Sequence, residues 1–164
     1  MKLRRHGFQL IVLGSGESRL EQIFTDLQRA FPRQVCFYRG FLEPLAHFIE
    51  AGADMFLMPS RYEPCGLTQL YAMRYGTAPI VRRTGGLADT VVDIDEDPAS
   101  GTGVLFDPPT VLAFADAIER AVVTWTDKAR WRALQRRGME QEFGWERGAA
   151  AYRAVYRSAR PEVP

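Results

Sequence analysis

Two patterns of apolar residues alternate along the chain. Short, largely apolar runs occur at Phe8–Leu13, Val35–Tyr38, Met55–Met58, Ala78–Val81 and Val104–Phe106. Runs of this length, bounded by Gly, Pro and polar residues, predict the strands of a parallel sheet buried on both faces. Between them, apolar residues recur at every third or fourth position, as one face of a helix requires. From Arg19 to about Phe31 the face is Leu20, Ile23, Phe24, Leu27 and Phe31, with Ser18 expected as N-cap and Pro32 as the stop. Further helices are predicted over Pro44–Ala51, Leu67–Tyr75 and Leu87–Val91, with Gly52 and Gly76 ending the first two. Asp107-Pro108-Pro109-Thr110 caps another, running to about Trp125 with Val111, Phe114, Ala115, Ile118 and Val122 apolar. Thr126 or Asp127 caps the next, which ends near Gly138, and a last helix runs from Trp145 to about Ser158. The acidic stretch Asp93–Thr102 reads as an exposed loop. Strand and helix alternating at short spacing predict an α/β fold with a parallel sheet and right-handed crossovers, Met55–Met58 being its central strand.

Chemistry concentrates around that strand. Pro59 and Pro64 bracket a loop that can continue neither element, and Gly66 permits close backbone approach. The helix beginning at Leu67 turns its unpaired N–H groups toward the loop, an arrangement that favours phosphate or another anion. Glu63 stands just before it, at the carboxyl edge of the sheet, where ligands of open parallel sheets bind. Its plain alternative is a helix-start charge worth about 0.3–1 kcal/mol. Thr84-Gly85-Gly86 forms a second turn before a second helix start. Arg82 and Arg83 either are solvated or set that turn. Phe41, after Gly40, is either core or a platform for a nucleotide base. Cys65 reads as a small buried thiol. Gly14-Ser15-Gly16 follows a strand, but the third glycine of a dinucleotide fingerprint would fall at Arg19, so the match fails.

Pro59–Thr77, reading PSRYEPCGLTQLYAMRYGT, followed by PIVRRTGGLADTV from Pro79 to Val91, resembles the nucleotide-sugar loops of bacterial glycogen synthases and plant starch synthases. The likeness runs from about Phe8 to Tyr156. It implies a Rossmann-like three-layer α/β/α domain, the C-terminal, donor-binding half of a two-domain (GT-B) retaining glucosyltransferase, ending in helices. It implies transfer of glucose from ADP-glucose to the 4-hydroxyl at the non-reducing end of an α-1,4-glucan, with UDP-glucose left open as donor and no metal or other cofactor. By the same resemblance Glu63 bonds the hydroxyls of the donor glucose and is the catalytic candidate, and Phe41 stacks on the base. Backbone N–H groups of Cys65, Gly66, Leu67 and Thr68 hold the distal phosphate and the glucose, and Thr84, Gly85 and Gly86 face the donor. Many related transferases carry a second Glu eight residues after the first. Tyr71 stands there, as in the glycogen and starch synthase branch.

Composition sets the remaining bounds. The 164 residues suit one domain, expected over 1–159 with a frayed tail at 160–164. Lys+Arg of 21 against Asp+Glu of 20 gives a net charge of +1, which offers no bulk case for nucleic acid or membrane binding. No apolar run approaches a membrane span, and Cys36 and Cys65 without secretory features favour reduced thiols in the cytoplasm. His6 and His47 are too few for a metal site, His47 reading as structural. Arg130, Arg132, Arg136 and Arg137 read as a solvated helix face. The family's upstream Arg and Lys, and its acceptor domain, have no counterpart, so a fragment of little independent turnover is expected. Its partners would be nucleotide sugar and α-glucan, together with the missing N-terminal domain or a second copy against Trp145, Tyr152, Val155 and Tyr156. Another GT-B transferase, or a non-catalytic nucleotide- or glucan-binding module, stays open. A phosphorylase would need a lysine for pyridoxal phosphate, and Lys2 and Lys128 are both badly placed.

Overall fold

The computed structural model describes residues 7–159, apart from the side chain of Arg147. The expected tail at 160–164 lies outside the described residues. Strands and helices alternate in the order β1 (Leu10–Gly14), α1 (Ser18–Ala30), β2 (Val35–Arg39), α2 (Glu43–Gly52), β3 (Met55–Met58), α3 (Thr68–Tyr75), β4 (Ala78–Arg82), α4 (Gly85–Thr90) and β5 (Val104–Phe106). Three helices follow: α5 (Val111–Thr126), α6 (Lys128–Met139) and α7 (Trp145–Ser158). Every strand pairing is parallel, as the alternation predicts.

The strands form two sheets rather than one. β1 pairs with β2, and β3, β4 and β5 form a three-stranded sheet in that order. Met55 faces Ala78 across the second sheet, and Ile80 faces Val104. The central strand is therefore β4, not β3. β4 has a neighbour on each side and Ala78–Val81 are buried, whereas β3 is bonded on one side and all of Met55–Met58 are only half-buried. The continuous apolar run reports suitability for burial; position in the sheet decides how much is obtained.

Alternate residues of β4 and β5 feed two cores, because successive side chains point to opposite faces. Ile80, Val104 and Phe106 pack with Ala117 and Ala121 of α5 and Trp131 and Leu134 of α6. Val81 and Leu105 pack with Met73 of α3, Leu87 of α4 and Val91. Helices thus cover both faces of this sheet, the three-layer arrangement of doubly wound α/β proteins.

The caps divide. Thr110 Oγ1 accepts from the Ala113 N–H (3.2 Å), and Asp127 Oδ1 from those of Ala129 and Arg130 (both 3.0 Å), as expected. Ser18 does not cap α1: it is the first helical residue, and Glu17 takes the cap position without a side-chain bond. Glu21 instead ties the preceding turn and β2 to the helix, its carboxylate accepting from Gly16 N–H (3.0 Å) and pairing with Arg39 (2.8 Å). The apolar face of α1 is half covered, with Leu20, Ile23 and Phe31 exposed, since only a two-stranded sheet lies beneath it. Val111 likewise is 84% exposed; α5 buries Ala117, Ala121 and Thr124 instead.

The acidic stretch is anchored rather than free. Asp93, Ile94 and Thr102 are buried. Arg120 bonds Asp93 and Asp95, and Arg130 bonds Asp95 (2.9 Å). Arg137 Nε donates to Gly101 O (2.8 Å). Arg130 and Arg137 thus leave the solvated face on which the sequence had placed them. On α7, Trp145, Tyr152, Val155 and Tyr156 are all exposed. No helix among the described residues is long and apolar enough to cross a membrane.

Candidate functional site: the loop between β3 and α3

β3 ends at Met58, and Pro59 opens the loop that carries Glu63. Three neighbours pin the main chain of this loop. From the end of β4, Arg82 Nε donates to Ser60 O (2.8 Å) and Nη2 donates to Arg61 O. From the start of α4, Gly86 N–H donates to Glu63 O (3.2 Å). From α3, the amide nitrogen of Gln69 lies 3.2 Å from Cys65 O and 3.0 Å from Gly66 O. That same nitrogen is 3.3 Å from Thr90 Oγ1, which donates in turn to Gly86 O (2.6 Å). A half-buried Glu63 is thereby fixed at the carboxyl edge of the three-stranded sheet.

The glycines are there because nothing larger fits. Gly85 has φ +45° and Gly66 φ +73°, both left-handed. A Cβ at Gly85 would overlap Glu63 O, and one at Gly86 would overlap Cys65 O. Gly66 is buried, with the Gln69 amide against it. By contrast, a Cβ at Gly14 or Gly16 meets nothing within 4 Å. That turn makes no close approach of the kind a dinucleotide fingerprint needs, in agreement with Arg19.

Leu67 is the N-cap of α3, and the first helical bonds run from Leu70 and Tyr71 N–H to Leu67 O (both 3.0 Å). The N–H groups of Thr68 and Gln69 have no helical carbonyl to reach, the usual condition of a helix start. Leu67, Thr68 and Cys65 are exposed beside them. The exposure of Cys65 overturns the expected buried thiol: its carbonyl is tied inward to Gln69, which turns the side chain to the surface. Thr68 Oγ1 lies 3.5 Å from Met58 S.

The sequence candidates therefore fall into two sets. Glu63, Cys65, Gly66, Gly85 and Gly86 are brought into one contact network; Thr84 takes the cap position of α4 beside them without a side-chain bond, and Leu67 and Thr68 open α3. Phe41 stands apart, at the carboxyl end of β2 in the other sheet. It is 84% exposed, which removes the core reading, and Gly40 before it (φ +134°) donates to Gly14 O (3.0 Å). Tyr71 turns to α2, its ring 5.4 Å from that of His47, whose Nδ1 is 3.6 Å from Glu50. Burial raises the Glu50 carboxyl above its ordinary range, with His47 opposing. Arg82 and Arg83, which the sequence leaves undivided, separate: Arg83 pairs with Glu96 and Asp107.

Gln69 and Thr90 are the residues that sequence reading misses. The signal for Gln69 was present: it shares the buried helical stripe of Ala72 and Met73, where a polar side chain must be bonded. Among the described residues no group of three His, Cys, Asp or Glu side chains could hold a metal ion.

The chain is thus an α/β domain with a carboxylate beside a helix start at the carboxyl edge of a parallel sheet, the edge at which open parallel sheets bind ligands. Residues 1–137 match the glycosyl transferases group 1, and the chain belongs to that family. It is 51% identical over 154 residues to glycogen synthase of Thioalkalivibrio sulfidiphilus, covering 91% of this chain and 32% of that protein. Against glycogen synthase of Dechloromonas aromatica the identity is 52%, covering 92% and 32%. The fold superposes on the catalytic domain of starch synthase IV from Arabidopsis thaliana, bound to ADP and acarbose, with a TM-score of 0.81 and 35% identity, covering 95% of this chain and 35% of that one. The chain spans about a third of the length of the curated relatives it matches.

Proposed function

We propose that this chain is the donor-binding part of a glycogen or starch synthase, which transfers glucose from ADP-glucose to the non-reducing end of an α-1,4-glucan with retention. The observation that carries the reading is the pinned loop that sets Glu63 immediately before the start of α3. A departing nucleoside diphosphate gathers negative charge, and preorganised N–H dipoles stabilise charge at least reorganisation. The start of α3, with the main chain of Cys65, Gly66, Leu67 and Thr68, takes the distal phosphate. Glu63 takes the glucose hydroxyls. The second turn, Thr84-Gly85-Gly86, closes on the same donor. Phe41, exposed at the end of β2, offers its face to the base. The glycogen synthases at half identity and the starch synthase bound to ADP support the choice of donor and acceptor. An acceptor-binding domain would complete the reaction, and the chain covers 32% of each of those glycogen synthases.

Calorimetric titration of the chain with ADP, UDP and ADP-glucose tests this. ADP is expected to bind in preference to UDP. Glucose is expected to add to ADP affinity, and Glu63→Ala to remove that increment, weakening ADP-glucose about 10- to 150-fold for a charge-assisted bond of about 1.5–3 kcal/mol while leaving ADP unchanged. Equal loss for ADP and ADP-glucose would contradict the role of Glu63.

A further inference from the structure

We propose that Arg82 is a positioning residue for the donor sugar, acting through the loop that carries Glu63. The proposal rests on the reading of that loop as the donor site. Arg82 is the last residue of β4, half-buried, and its guanidinium crosses to two successive carbonyls of the neighbouring loop, Ser60 and Arg61. A rigid planar fork with several N–H donors can hold two carbonyls at once in one geometry, which an ammonium on a flexible stem cannot. Among the described residues it meets no carboxylate, unlike its neighbour Arg83, which pairs with Glu96 and Asp107. Its hydrogen-bonding capacity goes to neutral main chain.

The position of those carbonyls gives the fork its consequence. Pro59 opens the loop, so the stretch from there to Glu63 depends on contacts from outside for its path. Gly86 fixes Glu63 at its own carbonyl, and Gln69 fixes Cys65 and Gly66 beyond it. Arg82 supplies the bonds on the approach side. Without it, Glu63 is held from one side only, and its carboxylate can swing while the start of α3 stays in place. The nucleotide and the sugar should therefore respond differently. ADP depends on α3, which Arg82 does not touch; the glucose increment depends on where Glu63 points.

The experiment compares the chain with Arg82→Met and Arg82→Lys. Thermal unfolding establishes that each variant folds. Backbone ¹⁵N relaxation of residues 60–66, without ligand, reads the clamp through the mobility of the loop. Calorimetry with ADP and ADP-glucose reads its consequence. Greater loop mobility in both variants, with ADP affinity kept and the glucose increment cut about tenfold or more, is the expected result, since misplacing a group by an ångström is enough for such losses. Arg82→Lys failing to rescue assigns the effect to the fork rather than the charge. Unchanged mobility overturns the proposal whatever the ligands do. Greater mobility with an intact increment overturns the link to the sugar. Equal loss of ADP and ADP-glucose overturns it in favour of a direct contact with phosphate. A wild-type chain for which glucose adds nothing to ADP affinity overturns the donor-sugar reading and this link with it, and relaxation still reports the clamp separately.

Discussion

Gly86 donates its N–H to the carbonyl of Glu63 at 3.2 Å, and this bond makes the loops after β3 and β4 one unit. The contact is close enough that neither Gly86 nor Gly85 has room for a side chain. Gly86→Ala should therefore push α4 and the Glu63 loop apart. Overpacking of this kind costs about 1–3 kcal/mol, visible as a lowered urea midpoint. Gly14→Ala is the control: its Cβ meets nothing within 4 Å, and the midpoint should move by no more than about 0.5 kcal/mol equivalent.

The acidic stretch gives a pH dependence. Burial opposes ionisation of Asp95, but its bonds to Arg120 (2.8 Å) and Arg130 (2.9 Å) prevail and hold the carboxyl below its ordinary value. A depressed folded-state value means the stabilisation is present in full above the unfolded value, about 3.9, and is lost as pH falls through the folded one. The difference in melting temperature between wild type and Asp95→Asn should be constant from pH 7 to about pH 5 and shrink below about pH 4. A difference that grows toward acid would contradict the ion-pair account.

Burial sorts two apolar residues that look alike in sequence. Leu134 is 0% exposed in the core beneath β4, and Val111 is 84% exposed at the start of α5. Leu134→Ala should lower stability by about 2–5 kcal/mol, and Val111→Ala by no more than about 0.5 kcal/mol, in chemical denaturation.

The sequence made the element order legible because apolar period, prolines and glycines agreed locally. The bounds of α3, with Gly76 (φ +81°) ending it, follow from that agreement. The placement of Glu63 shortly before α3 and of Gly85-Gly86 at the start of α4 was legible from the prolines, glycines and helix starts around them. Sheet membership was not: Met55–Met58 is continuously apolar and yet an edge among the described strands, because hydrogen-bond partners are set by topology rather than by the strand's own residues. The exposure of Cys65 and the split between Arg82 and Arg83 were also hidden. Each depends on carbonyls far along the chain, at Ser60 and Arg61 for Arg82, and on the buried amide of Gln69 for Cys65. Ser18 failed as a cap because the helix begins one residue earlier than expected, with Glu17 O accepting the first bonds from the Leu20 and Glu21 N–H groups.

The central claim is that the start of α3, beside Glu63, seats the distal phosphate of the donor. Amide ¹H–¹⁵N spectra of the chain during titration with ADP test it most directly. The account predicts saturable shifts largest at Gly66, Leu67, Thr68 and Gln69, with a second group at Gly85 and Gly86. Saturable binding whose largest shifts fall elsewhere, with these amides unmoved, would contradict it.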